Sequence, residues 1–285
     1  MIDLANLLGS LVLTLVALAG VVRYSSVAKL RRGIDSGASR NLELTIAGVS
    51  AFLAVWFLVA AFRTEGITRV PSPLLTARSL VEMLGDGTLA ANIAASVGRI
   101  VVGFSCAAFV GVSLGWLAGT FLLFNQLVMP TNSFLRYIPP TAFVTLLIVY
   151  FGIGDTYKYS VVFVSVVFFI VQMTVDAVED IDVRYREMGL LSGMDSVEIL
   201  RHVIVPGTLP RVIDVLRVNL SGAWTFLVAA EVIGADGGIG HLIAISQRFG
   251  RIENLYAAIV TFGFIGIVTD WLFKHFSQRT FRWAR

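Results

Sequence analysis

Three groups of residues in this chain could do chemistry, and none is arranged for making or breaking bonds. The first is Glu187-Met-Gly-Leu-Leu-Ser-Gly193, followed thirteen positions later by Pro206 in Val203-Ile-Val-Pro206. A carboxylate, small residues, a turn glycine and a proline form a polar island between long apolar runs, which suits a docking surface. The second is a pair of acids, Glu231 and Asp270, set in apolar segments, where a charge is costly and marks either a solute path or a structural partner. The third is Asn219, Ser221 and Thr225, on or near one face of the helix that carries Glu231; small polar side chains there serve as interhelical glue or line a path. The sequence holds no paired carboxylates and no His-Glu-x-x-His. Its three histidines, His202, His241 and His275, are scattered, and it lacks a Gly-x-x-x-x-Gly-Lys-Ser/Thr phosphate loop. No catalytic residue, metal site or cofactor is therefore expected in this chain, and ATP is not expected to bind it.

The elements that must position these residues lie in a bilayer. Of the 285 residues 56% are hydrophobic and only 14% charged, with mean hydropathy +0.82, whereas soluble domains run at about 25% charged. A spanning helix needs about 20 apolar residues. Leu4 to Val22 and Leu44 to Phe62 supply one span each. The charge-free run Ile100 to Leu135 is too long for one and is broken at the Gly119 to Gln126 stretch, giving helices near 99–119 and 127–152. Pro139-Pro140 falls inside the latter, where a broken backbone is tolerated against protein or a water cavity. Tyr159 to Val175, about 213–234 and about 255–273 follow, making seven helices. The lone Cys106 excludes an internal disulfide and reads as packing. A net charge of +3 reports orientation in such a chain, and nucleic-acid binding is not inferred.

Basic residues set that orientation. If 176–212 faces the cytoplasm, so do 23–43 and the C-terminal tail, which together hold thirteen Lys and Arg, Arg23 to Arg40 and Lys274 to Arg285 among them. The opposite face holds Arg63, Arg69, Arg78, Lys158, Arg248, Arg251 and, at the edge of its span, Arg99. The N-terminus is thereby placed outside and the C-terminus inside. The first span has Asp3 and no basic residue before it, the reverse of a secretory signal, and reads as a retained helix. Residues 1–43 then form an extra helix with a basic loop, and 44–285 the main transmembrane domain. No internal repeat of the kind found in many secondary transporters is visible.

Segment 183–206 reads as a compact knob. Val183 to Ser192 has helical period, Gly193 permits a sharp turn, and Asp195 with Glu198 forms an N-cap and its reciprocal partner at the start of a second short helix. Leu190, Leu191, Ile199 and Leu200 offer apolar contact; Glu187, Glu198 and Arg201 offer charge. An amphipathic hairpin lying on headgroups is the plainer alternative.

The spacing of Glu187, Gly189, Gly193 and Pro206 resembles the Glu-Ala-Ala loop of ABC importer permeases, with Met188 where Ala is usual. Ser96-Val-Gly-Arg99 with Gly103-Phe104, Ile138-Pro-Pro140 leading to Phe151-Gly-Ile-Gly-Asp155, and Ala230-Glu231 with Gly234 and Gly237-Gly-Ile-Gly240 resemble the nitrate, sulfonate, taurine and bicarbonate group of those permeases over about 88–275. The resemblance implies an all-α, six-helix type I importer core in the inner membrane, here with one extra N-terminal helix. It also implies a second permease subunit, most simply another copy, two cytoplasmic ATPase subunits holding ATP and Mg, and an external solute-binding protein. Glu187, Gly189, Leu190, Leu191, Gly193, Asp195, Glu198 and Pro206 would couple the ATPase. Pro139, Pro140, Asn219, Ser221, Thr225 and Glu231 would border the path. The solute expected is a small anion such as a sulfonate, nitrate or bicarbonate; a neutral solute such as a vitamin precursor is the alternative. A self-contained secondary transporter or channel, and a membrane scaffold, are the competing classes. Glu231 is equally readable as a partner of Arg99, and Asp270 as the i,i+4 partner of Lys274.

Overall fold

The computed structural model describes residues 4–25, 38–61, 70–234 and 236–281. Asp3, the basic stretch 26–37, the 62–69 connection with Arg63 and Arg69, and residues 282–285 lie outside the described residues, as do the side chains of Arg23 and Arg40. The described residues form two units. In the first, α1 (Leu4–Ser25) packs on α2 (Ala38–Ala61), with Gly9 admitting the ring of Phe57. The same unit contains α3 (Pro73–Gly85), a short helix that the hydropathy reading passed over. Its Ser79 donates to Asn254 Oδ1 at 2.8 Å.

The second unit is built on α4 (Thr88–Thr120), α7 (Asp155–Glu179) and α10 (Val205–Gly234). Between the first two lie α5 (Leu122–Arg136) and α6 (Pro140–Phe151), and the chain closes with α11 (Ile239–Arg248) and α12 (Ile252–Thr280). Every described element is helical, as membrane depth requires of a chain whose backbone finds no water. Ile100, Phe104, Val166, Ile170, Val215, Trp224 and Leu227 form the main core of this unit. Along α4, small residues recur every fourth position at Gly103, Ala107, Gly111, Gly115 and Gly119, and the backbone of α7 lies so close that a Cβ at Gly111 would stand 2.7 Å from Ile170. In lipid, where apolar surface gives little drive for association, such close approach is what holds helices together.

Helix extents differ from the hydropathy reading where helical backbone continues past apolar sequence. The span expected at 99–119 begins at Thr88, whose amide is held by Asp86 Oδ1 at 2.8 Å, so Arg99 lies within a helix and not at its edge. The single helix expected at 127–152 is two, bent by 96°. Pro139 takes an extended ψ of 128° before α6, and Pro140 stands at its start, where its missing N–H is harmless. Four described helices are each long and apolar enough to cross a membrane, or five counting this bent pair as one; α1 and α2 contribute shorter apolar stretches, Ala5–Ala19 and Thr45–Ala61. Cys106, read as a packing thiol, is exposed on α4.

Candidate functional site

The knob begins with α8 (Val183–Leu191), capped by Asp182, whose carboxylate accepts from the Arg184 amide at 3.0 Å. It ends in a left-handed turn: Gly193 has φ +79°, its amide bonds Leu190 O at 3.0 Å, and the Met194 amide bonds Gly189 O at 3.0 Å. That pair of bonds is a Schellman closure. Asp195 then opens α9 (Ser196–Ile199) with both arms of a capping box, its Oδ1 accepting from Glu198 N at 2.7 Å while Glu198 Oε2 accepts from Asp195 N at 2.9 Å.

The second arm is not a short separate helix. Helical backbone runs without a stop from Ser196 to Gly234, through a π-helical turn at Leu200–Ile204, into α10. Proline 206 has no N–H to offer the carbonyl four residues back, and the Val205 amide reaches Leu200 O instead, five residues back; a helix accommodates the proline by this slip. Knob and spanning helix are one rod. The inner side of the hairpin is cemented by Val178, Ile199 and Ile204, with Trp116 and Met194 against them. Trp116 Nε1 donates to Thr208 Oγ1 at 2.9 Å and Arg186 Nη2 to Val178 O at 2.6 Å, and Arg211 pairs with Asp180. Gly189 is buried, and a Cβ there would stand 3.1 Å from Ile199.

Of the residues read as contacts, Leu190 and Leu191 are exposed, the latter by 88%, whereas Ile199 is buried and Leu200 half-buried. Burial of Ile199 corrects its reading as a docking contact: it holds the two arms together. Val183, Tyr185, Met188 and Val197, which the sequence reading did not single out, are exposed beside them. The Glu187 side chain is exposed and makes no hydrogen bond or ion pair among the described residues. Pro206, Met188 and Met194 line an open concavity of ≈ 690 Å³ with Tyr185 and His202.

At the far end of α10 the motif fragments converge. Glu231 is fully buried. Its carboxylate accepts from Arg99 Nη1 at 2.7 Å, from Ser96 Oγ at 2.8 and 2.9 Å, and from the Gly240 amide at 2.9 Å. Arg99 also bonds Asp155 Oδ1 at 2.9 Å and Gly237 O at 2.6 Å, and Lys158 bonds the same Asp155 oxygen at 3.1 Å. Ser96 Oγ accepts from Ile239 N at 2.9 Å, and Asn92 Oδ1 from Gly238 N at 2.7 Å. A buried carboxylate met by three donors, one of them a guanidinium, avoids the penalty of an unmatched charge. The cluster clasps α4, the start of α7, the end of α10 and the loop before α11. Asp270 is likewise matched, to Lys274 at 2.8 Å and Arg217 at 3.1 Å.

The three small polar residues of α10 do not share a face. Asn219 is buried, donating to Val215 O at 2.9 Å and lying 3.2 Å from Met173 Sδ of α7. Ser221 and Thr225 are exposed and bond backbone carbonyls of their own helix. Together with Asp214 and Val218 they form a polar-centred stripe that the described residues leave exposed. Pro139 is exposed and Pro140 half-buried at the bend. Among the described residues no group of three His, Cys, Asp or Glu is placed to hold a metal ion.

With this geometry in view, the comparisons with known proteins are specific. A family model described as the binding-protein-dependent transport system inner membrane component matches residues 111–282. The taurine transport system permease protein TauC of Escherichia coli (strain K12) is 28% identical over 251 residues, covering 86% of this chain and 91% of that protein. The bicarbonate transport system permease protein CmpB of Synechococcus elongatus is 29% identical over 260 residues, covering 87% and 91%. In fold, the chain matches one from the inward-facing MetNI methionine ABC transporter with TM-score 0.58 at 17% identity, over 73% of this chain and 96% of that one.

Proposed function

The chain belongs to the family of binding-protein-dependent transport system inner membrane components, and on that premise we propose that it carries a small anion of the sulfonate or bicarbonate kind across the membrane. The chain is a multi-pass membrane permease subunit. It works as a pair of identical copies, with two ATPase subunits at the knob and a solute-binding protein on the outer side. ATP and Mg are held by the ATPases. The N-terminus lies outside and the C-terminus inside.

One observation carries the mechanism: the knob that would meet the ATPase is the end of the rod that spans the membrane, 196–234. When the ATPases close on ATP, a displacement of the exposed Leu190–Leu191 surface moves the hairpin as one body, since Gly189 of its first arm packs closely on Ile199 of its second, and Ile199 and Ile204 pack on Val178 of α7. Glu187 sets the register of docking by charge. The rod transmits the displacement to the stripe of Ser221 and Thr225, which with the Pro139-Pro140 bend borders the path and alternates its access. The clasp at Glu231 holds the outer ends of the helices in step. The small-anion reading is supported by relatives whose printed names are those of taurine and bicarbonate permeases.

The test is uptake by the complete complex in proteoliposomes, with radiolabelled taurine, ethanesulfonate, bicarbonate and a neutral thiazole as probes. Accumulation of one of the anions that requires both ATP and the binding protein is the expected result. Accumulation of the neutral probe alone, or uptake by this chain without an ATPase, would overturn the reading.

A further inference from the structure

Between Ile100 and Gly154 the sequence holds a single charged residue, Arg136. It ends α5, at the 96° bend into α6. Its depth follows from its neighbours. Asn132, one turn earlier, donates to Phe168 O at 3.1 Å, and Phe168 is near the midpoint of α7 (Asp155–Glu179). On the other side of the bend Val144 packs with Tyr157 and Val161, closer to the start of α7. The bend therefore sits level with the middle part of a spanning helix whose ends are each about 18 Å from its centre. Arginine at such depth faces a bundle interior or water, or takes a partner.

The other buried or half-buried basic residues within the spans have carboxylate partners: Arg99 and Lys158 hold Asp155, and Arg217 holds Asp270. Arg136 makes no hydrogen bond or ion pair among the described residues; its guanidinium carbon stands over the ring of Tyr137, 5.7 Å from the centroid. Tyr137 is itself 80% exposed. A planar, permanently charged fork with its donors free is suited to an oxyanion, which it meets with two parallel hydrogen bonds.

We propose that Arg136 is the cation that receives the anionic group of the solute midway along the path, at the break between α5 and α6, so that selection for an anion is made in this chain as well as in the binding protein. The assignment rests on the small-anion permease reading above. A point charge at this position raises the local concentration of anions whether or not transport is proceeding.

That local field can be read directly. In a Cys106→Ala background, Tyr137→Cys is placed beside Arg136 in the complete complex in proteoliposomes. Its rates of modification by the sulfonatoethyl and trimethylammonioethyl methanethiosulfonates are then compared. Thr141→Cys, in the first turn of α6, reports the same place if Tyr137→Cys does not assemble. The anion-to-cation rate ratio is expected to fall at least about fivefold when Arg136 is also changed to Gln, the scale of one nearby charge in a partly hydrated site. Thiols that react with neither reagent, or a ratio within twofold of its Arg136 value, would overturn the assignment. ATP-driven uptake by the Arg136 complex is scored in parallel and judges the permease reading separately.

Discussion

Glu231 illustrates how a residue's role is decided by what it touches. In sequence it was an acid in an apolar run, equally a path residue or a partner for Arg99. In the fold it is fully enclosed and bonded to Ser96, Arg99 and the Gly240 amide. Removing one partner of a buried ion pair costs about 3–5 kcal/mol, less here because Arg99 keeps Asp155. Glu231→Gln preserves shape, so we expect a melting temperature lower by about 5 °C or more in the purified permease, with uptake per folded molecule largely kept. Unchanged melting with lost uptake would make Glu231 a path residue after all. The Arg99 pairing was legible because buried charges need partners; Ser96, 135 positions from Glu231, and the backbone amide of Gly240, nine positions away, were legible only as motif letters, since neither carries a charge that calls for a partner. Cys106 is exposed because in a bilayer an apolar residue gains little by turning inward, whereas Ile199, in the knob, is drawn inward by packing against Gly189 and Val178.

At the scale of elements, hydropathy located the long apolar helices but not their ends, and not the short helices α3 and α11. An apolar window stops at the first polar residues, whereas the backbone continues: 213–234 proved to be part of a rod beginning at Ser196, and Thr88 opens a helix expected at residue 99. The knob was the most readable element, because Gly193, Asp195 and Glu198 carry their geometry in their own side chains or lack of one. The double proline, legible in the sequence as a break in helical hydrogen bonding, divides its run into two helices bent by 96°. The stripe of small residues on α4 went unnoticed, and it yields a sharp prediction. Gly98 and Gly111 lie on the same helix, but a Cβ at Gly98 meets nothing within 4 Å while one at Gly111 stands 2.7 Å from Ile170 and 3.2 Å from the Val167 carbonyl. Gly98→Ala should be neutral or stabilising by about 0.5–1 kcal/mol, and Gly111→Ala should lower the melting temperature and the yield of assembled complex. Equal behaviour of the two in thermal unfolding would contradict tight α4–α7 packing.

For the whole molecule, the proposed mechanism requires an inward-facing knob, a spanning rod and an outward-facing start of the chain. The orientation is tested by Asp3→Cys and Ser36→Cys in a Cys106→Ala background, two positions outside the described residues. An impermeant thiol reagent should label the first from outside and the second only after permeabilisation; labelling of Asp3→Cys from the inner side alone would refute the extra outward-starting helix. The central claim is that the Glu187 to Pro206 knob transmits the power stroke. Gly193 needs positive φ, and with open space around it Gly193→Val adds only backbone strain of about 1–2 kcal/mol, enough to tilt one arm against the other. Glu187→Ala removes an exposed charge that has no hydrogen bond or ion pair among the described residues. The decisive measurement is ATP hydrolysis stimulated by loaded binding protein, taken together with uptake, in proteoliposomes carrying each variant in the complete complex. Membrane insertion and pairing should be unchanged while stimulation and uptake fall about fivefold or more, the factor that about 1 kcal/mol commands. Wild-type stimulation and uptake in both variants would contradict the claim.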